Sequence, residues 1–456
     1  MFTRFQSCPI RRRRRPFVGE PYLVEGGWSF PFLTNEKSNG TAARAAFFFC
    51  KGEHMQGIFA RYHANVWKNY IYTIFFNLRF TNGIWMLYLA SRGMSLTQLG
   101  LLEGIFHVTS LVMEIPTGAI ADLYGRKNSR LLGRLCSIIS TLIFLSSGSF
   151  WLFAIAFFFS ALSYNLESGA GEALVYDSMK ACGKEKDFLK VTGIQEALFQ
   201  YSGMLCLIIG GRIGEHSYLG AYWVTLIFTI LSFFTIFSFV EPPRGVEKLA
   251  RLPVSSILNQ TLDSVRTVVK KKSVAFILVF TQSILACSTL LFFYLQNYWK
   301  SIGIGEAKIG MYLASGCLSG AIIANLVNRI NRRMGNRRFF LSISWLSVVC
   351  LFGMALSPQK LPFFVLLSMA DSALFVASSN FVNQMIPSRQ RATILSIGSM
   401  LFSLAMIIIF PVFGGIADLY GFTVAFWVLA IGGILLVLLM SIPLLRTGSL
   451  SETEQE

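Results

Sequence analysis

The stretch Gly118-Ala-Ile-Ala-Asp122-Leu-Tyr-Gly125-Arg126-Lys127 links two long apolar runs, 96 to 121 and 131 to 149, and its reading decides the fold. About 20 apolar residues in a helix cross the hydrocarbon core of a bilayer. The polar turn between these runs therefore reads as the tip of a hairpin of membrane helices. Gly118 lets a neighbouring helix approach closely, and Gly125 permits the tight turn. Asp122 and Arg126 place opposite charges where water is being excluded.

Composition extends this reading outward. The 456 residues are 54% hydrophobic and 14% charged, against roughly 25% charged in an ordinary soluble domain. That excludes a water-soluble enzyme of ordinary composition. With 42 phenylalanines and a mean hydropathy of +0.57, much of the apolar surface must face lipid. Twelve stretches qualify as spans: 70 to 90, 96 to 121, 131 to 149, 153 to 176, 191 to 213, 219 to 240, 273 to 297, 306 to 328, 338 to 357, 361 to 384, 392 to 416 and 422 to 445. Lysine and arginine in the short loops set orientation. With the start of the chain cytoplasmic, Arg126, Lys127, Arg130, Arg134 and most of the rest fall inside, and only Arg92, Arg212, Lys300, Lys308 and Lys360 fall outside. Both termini are thus expected in the cytoplasm, with the chain multi-pass in the inner (plasma) membrane. The net charge of +17 is scattered between apolar segments rather than gathered on one face, so nucleic acid is not an expected partner. The eight cysteines form no C-x-x-C pair, which argues against a disulfide framework or a thiolate metal site.

The domain organisation follows. Residues 1–54, with Arg11 to Arg15 and no periodic pattern, read as a basic, disordered extension. Lys51-Gly52-Glu53-His54-Met55 back-translates to a ribosome-binding sequence before a start codon, so Met55 is the expected true start. Residues 55–240 form one six-helix bundle and 273–446 the other. A charged connector, 241–272, carries Leu252, Ile257, Leu258, Leu262, Val265 and Val269 at helical spacing, as for a helix on the inner membrane surface. Residues 447–456 are a cytoplasmic tail. Gly210-Gly211 before Ala221-Tyr222-Trp223 has the spacing of Gly414-Gly415 before Ala425-Phe426-Trp427, so the two bundles read as a repeat of the kind transporters use.

The run Gly118 to Lys127 matches G-x-x-x-D-x-x-G-R-[RK], and with twelve spans in two sixes the chain resembles the major facilitator superfamily over everything after Met55. The resemblance implies an all-α integral membrane protein of twelve transmembrane helices, two six-helix bundles around a central cavity. It implies that the Gly118–Lys127 loop is a latch closing the cytoplasmic side, with Asp177 as the partner of Arg126. Asp122 is then expected to face the start of helix 11 near Thr393, where the helix dipole favours an anion, and Glu114, on the stripe with Gly118 and Asp122, to support it. Pro116 is expected to kink helix 2. In the second half, Asn331 to Arg338 keeps the basic cluster but lacks the aspartate.

Ionisable groups inside spans are functional candidates by default. Arg79 in helix 1, Glu167 in helix 4 and Asp371 in helix 10 lie on three of the helices that line the cavity in this family, and helix 7 adds Gln282, Tyr294 and Gln296. Glu167 and Asp371 are expected to be the protonatable carboxylates, with Arg79 a counter-ion or a clamp for an anionic group. The structural alternative is an Arg79–Glu167 pair locking helices 1 and 4. Secondary candidates are Glu103, His107, Glu114 and Glu172, with His107 more readily a hydrogen-bonded packing residue than a titrating one. Two family signatures are incomplete. The arginine of the helix-4 signature is replaced by Asn165 before Gly169, and of the helix-5 antiporter signature only Gly210 and Gly211 remain, while Pro411 to Gly415 keeps its last part. H-E-x-x-H, G-x-x-x-x-G-K-[ST] and G-x-S-x-G are missing. No enzyme activity, metal or cofactor is expected, and energy comes from a proton or solute gradient. The expected function is alternating-access, proton-coupled efflux of a small amphipathic drug or metabolite, partly cationic, by a monomer in contact with membrane lipid. The alternatives are uptake of a nutrient or anionic solute, and a receptor that binds without transport.

Overall fold

A computed structural model describes residues 40–146, 148–242, 272–385 and 391–446, with side chains from 59 to 146, 148 to 242, 277 to 381 and 397 to 439. The Met55 start, the connector helix and the tail lie outside these residues or their described side chains. Contacts divide the chain into two units, Met1–Met55 and Gln56–Glu456.

All described secondary structure is helical. The first half comprises α1 (Gly40–Asn77), α2 (Trp85–Ser91), α3 (Leu96–Tyr124), α4 (Arg126–Ser146), α5 (Phe150–Glu167), α6 (Ala170–Ala181), a 3-10 turn (Glu185–Asp187), α7 (Phe188–His216) and α8 (Tyr218–Phe237). The second half comprises α9 (Lys272–Ser301), α10 (Glu306–Met334), α11 (Asn336–Leu356), α12 (Leu361–Met385) and α13 (Arg391–Arg446), which leaves helical geometry at Gly421 (φ +84°). Its two arms pack on each other, with the Phe413 and Phe426 rings 5.8 Å apart. Among the described residues ten segments are long and apolar enough to cross a membrane, against the twelve expected. The bent α13 supplies one of the ten, and the α1–α2 pair is not among them, because its helix stops at Asn77 and restarts at Trp85.

The repeat is written in the turns. Gly93 and Gly303 (both φ +85°) close the turns before α3 and α10. Gly125 (φ +104°) and Gly335 (φ +77°) join α3 to α4 and α10 to α11 at the same offset. Only glycine adopts that backbone without cost. Ser95 caps α3 in a capping box with Gln98, satisfying amides at the helix start. Pro116 sits inside α3, which continues helical to Tyr124.

The halves meet tightly at the end opposite the Gly118–Lys127 loop, here called the far end. Asp418 of α13 accepts from the backbone N–H of Leu96 (3.0 Å) and of Thr97 (2.7 Å) and from the Thr97 hydroxyl (2.6 Å). Tyr294 of α9 donates to the carbonyls of Leu96 (3.0 Å) and Phe410 (2.9 Å), and Tyr218 donates to Glu306. A Cβ at Gly100 would lie 2.6 Å from the Phe410 carbonyl oxygen, and one at Gly211 2.5 Å from that of Glu306, so glycine sets the helix spacing here. Deeper in, His107 reaches Ser403 at 3.3 Å. Nearer the loop end, among the described residues no atom of another helix lies within 4 Å of where a Cβ on Gly118 would stand. These hydrogen bonds between the halves all lie from His107 outward to the far end.

Candidate functional site

Three helices of the first half build a polar core in register. Tyr72 and Phe76 on α1, Arg130 and Arg134 on α4, and Glu167 and Ser163 on α5 are each four residues apart, hence one above the other on their helix faces. In the first rung, Arg130 lies over the Tyr72 ring at 4.0 Å and gives Nε to Glu167 at 3.0 Å, while the Tyr72 hydroxyl donates to the other Glu167 oxygen at 2.6 Å. Asn69 accepts from Arg130 at 3.1 Å and donates to Gln195. In the second rung, Arg134 lies over Phe76 at 4.2 Å and donates to the Ser163 hydroxyl at 2.9 Å. Both arginines are 1% exposed. Arg130 Nη1 and Arg134 Nε are buried without a hydrogen-bond partner among the described residues.

This corrects two sequence expectations. Arg130 and Arg134, counted with the loop charges, are buried in α4. The Arg79–Glu167 pair is not made, since Glu167 is held by Arg130 and Tyr72. Arg79 instead lies in the 78–84 interruption between α1 and α2, its guanidinium 4.7 Å from the Phe76 centroid. Among the described residues no carboxylate is within ion-pair distance of it. The fourth span is also broken, with Ser168 and Gly169 (φ +73°) separating α5 from α6 beside Glu167. Interrupted helices at membrane depth are tolerated where they line a cavity or a protein-buried site. Asn165, in place of the family arginine, donates to the Ser110 carbonyl (2.6 Å) and accepts from its hydroxyl (2.7 Å), clamping α5 to α3.

In the second half Asp371 of α12 is beside Ser288 of α9, and its Oδ1 is buried without a hydrogen-bond partner among the described residues. Thr281 Oγ1, Gln296 Oε1 and Asn297 Nδ2 on α9 are likewise buried and unpartnered. The Gln282 amide is oriented to α13, where a Cβ at Gly398 would stand 3.3 Å from its Nε2. Tyr294 belongs to the far-end contact described above. A separate apolar cavity of about 330 Å³ lies between α9 and the arms of α13, lined by Ser283, Cys287 and Phe413 among others, with no charged side chain.

At the loop end Arg126 forms an ion pair with Asp177 and donates to the Ala173 carbonyl at 2.5 Å. The Glu241 carboxylate accepts from the backbone N–H of Arg126 and of Lys127, both at 2.9 Å, completing the N-terminus of α4. Lys127 in return donates to the carbonyls of Phe237 and Phe239 (2.8 Å each) at the end of α8. Lys68 donates to Ser238, and burial with Lys127 and Arg61 nearby holds its pKa below the ordinary lysine range. Asp122 is exposed, and its expected counterpart Thr393 lies outside the described side chains. Glu114 is half-buried and Glu172 is exposed in the first turn of α6. Glu103 and His107, 3.6 Å apart, belong to the α3–α13 contact rather than to the polar core.

Sequence reasoning passed over Arg130, Arg134, Asn69, Glu241 and Asp418. The first two carried a readable signal, because Arg126, Arg130 and Arg134 recur every fourth residue into an apolar run. So do Asn65, Asn69, Thr73 and Asn77 on α1. Asp418 carried one as well, for Gly414-Gly-Ile-Ala-Asp418-Leu-Tyr-Gly421 repeats the run from Gly118 to Gly125. Glu241 carried none, since a cap supplied from a distant stretch of chain has no local pattern.

The sequence profile of the Major Facilitator Superfamily matches residues 71–365. The uncharacterized MFS-type transporter YxaM of Bacillus subtilis (strain 168) is 22% identical over 368 residues, 79% of this chain and 90% of that protein. Among solved structures, a mutant form of the nucleoside transporter NupG superposes with TM-score 0.69 at 13% identity, covering 83% of this chain and 99% of that one. A bacterial homolog of the human lysosomal transporter Spinster, inward-facing and unoccupied, gives 0.67 at 14% identity, with 85% and 98% covered. A D-xylose-proton symporter gives 0.64 at 13% identity, with 84% and 97% covered. A glycine-hinged charged loop, paired halves closing at one end, and a profile match across most of the spans place the chain, a transporter of small molecules and not an enzyme, in the Major Facilitator Superfamily.

Proposed function

We propose that this transporter couples solute movement to protons through Asp371 and exports a small amphipathic molecule by alternating access. The observation that carries the reading is the buried, unpartnered Oδ1 of Asp371 beside Ser288. A carboxylate so placed is costly when ionised and hydrogen-bonds better as the acid. Opening the halves to water reverses that preference, so the proton state follows the side that is open. Glu167, the other carboxylate considered, already accepts from Arg130 and Tyr72 on its two oxygens, which leaves Asp371 as the carboxylate with an open acceptor. The hydrogen bonds between the halves among the described residues all lie toward the far end, which supports opening toward the basic loops; lysine and arginine bias favours a cytoplasmic position for those loops and both termini, with the chain acting as a monomer in the inner membrane. Loading from that side suits export, and uptake is the competing direction.

The test is reconstitution with a pH-sensitive dye inside the vesicles, challenged in turn with ethidium, phenyl phosphate and xylose in both gradient directions. A transported solute should move protons in wild type and Asp371→Glu, and none in Asp371→Asn. Undiminished proton movement in Asp371→Asn refutes the assignment.

A further inference from the structure

The two rungs of the polar core are built alike except at one position. In the first, Tyr72, Arg130 and Glu167 bring together a ring, a guanidinium and a carboxylate. In the second, Phe76 and Arg134 repeat the ring and the guanidinium, but Ser163 stands where the first rung has Glu167. A guanidinium that is 1% exposed thus has a neutral hydroxyl for its hydrogen-bond partner, and Arg134 Nε has none. A second cation, Arg79, lies over the same Phe76 ring with no carboxylate partner among the described residues. Three guanidinium groups thus share one carboxylate inside a membrane-embedded shell. A buried charge without compensation is costly, so an anion supplied from outside the chain would stabilise this arrangement.

We propose that the cargo is an acidic amphipathic molecule whose carboxylate or phosphate completes the second rung, held by Arg79 and Arg134 above the Phe76 ring. The guanidinium fork matches either group in a bidentate manner. Arg79, half-buried in the interruption of the first span and not inside a helix, is the residue through which the anion enters. Arg134, fixed by Ser163, gives the inner contact. The apolar part of the cargo lies against aromatic surface such as Phe106 and Tyr164, whose rings are 6.1 Å apart and of which Tyr164 is exposed. This replaces the partly cationic solute expected from the sequence: the carboxylate that would have received a cation, Glu167, already has Arg130.

The inference rests on the transport reading but is tested by binding alone. The full chain in detergent is titrated with phenyl phosphate, benzoate, benzyl alcohol and benzylamine by calorimetry. Phenyl phosphate and benzoate should bind, and the neutral and cationic analogues should bind at least tenfold more weakly. Arg79→Gln should weaken phenyl phosphate at least tenfold, with Arg79→Lys recovering part of the loss. Ser163→Glu should abolish binding and raise the thermal midpoint, because it supplies the missing carboxylate within the chain. The readout is equilibrium binding and not proton movement, so failure of proton coupling at Asp371 leaves this result standing and the reverse also holds. Binding of benzylamine as tightly as phenyl phosphate, no binding of either acid at millimolar concentration, or unchanged affinity in both Arg79→Gln and Ser163→Glu overturns the proposal.

Discussion

Replacing Gly414 by alanine should force the far end open. The added Cβ would stand 2.5 Å from the Tyr294 hydroxyl and 2.7 Å from the Leu96 carbonyl carbon, with the Leu96 oxygen closer still. Most of these atoms are backbone, so the clash is relieved only by moving α13 away from α3. Overpacking of this kind costs about 1–3 kcal/mol. The cost falls on the state closed at the far end and not on the state open there, so the ratio of the two shifts by about 5- to 150-fold. Gly415→Ala is the internal control, because its Cβ would meet only Thr97 Oγ1 at 3.7 Å, an ordinary contact. Spin labels at Trp151→Cys, exposed at the start of α5, and Gln359→Cys, exposed just before α12, report the separation of the halves at the far end by pulsed dipolar spectroscopy in a background cleared of native cysteine. Gly414→Ala should add a longer distance that Gly415→Ala lacks. Identical distributions in the two variants would refute the claim that glycine sets helix spacing at this closure.

Other consequences can be checked separately. Glu241→Ala removes two charge-assisted hydrogen bonds at the start of α4 and should lower stability by about 2–4 kcal/mol, read as a fall in the unfolding midpoint, with Glu241→Gln intermediate. Asn165→Ala deletes both bonds of the α5–α3 clamp and should cost about 1–3 kcal/mol. Gly171→Ala places a Cβ 2.8 Å from Glu167 Oε1, displacing it from Arg130; transport should fall, and the shorter Glu167→Asp in the same chain should restore part of it. Asp418→Ala strips three hydrogen bonds from the start of α3 and should lengthen the spin-label distance in the same sense as Gly414→Ala.

The sequence alone determined that this chain is a membrane-spanning helical repeat, because apolar run length, loop charge and the Gly118–Lys127 signature are local properties that bilayer physics reads one segment at a time. It also named Arg79, Glu167 and Asp371, since an ionisable residue in an apolar run is conspicuous without any fold. Who pairs with whom was decided only in three dimensions. Arg130 looked like a loop charge because it lies four residues after Arg126, yet α4 begins at Arg126 and carries it inside, where Glu167 and Tyr72 receive it. The breaks at 78–84 and at Ser168–Gly169 were equally hidden, for hydropathy sums over a window and does not register where backbone hydrogen bonding stops. Glu241 and Asp418 close helix starts far away in the chain, so their roles exist only once the helices are assembled. Ion pairing in a low-dielectric interior depends on a few ångströms of approach between helices, and that spacing is a property of the packed bundle rather than of any one of its segments.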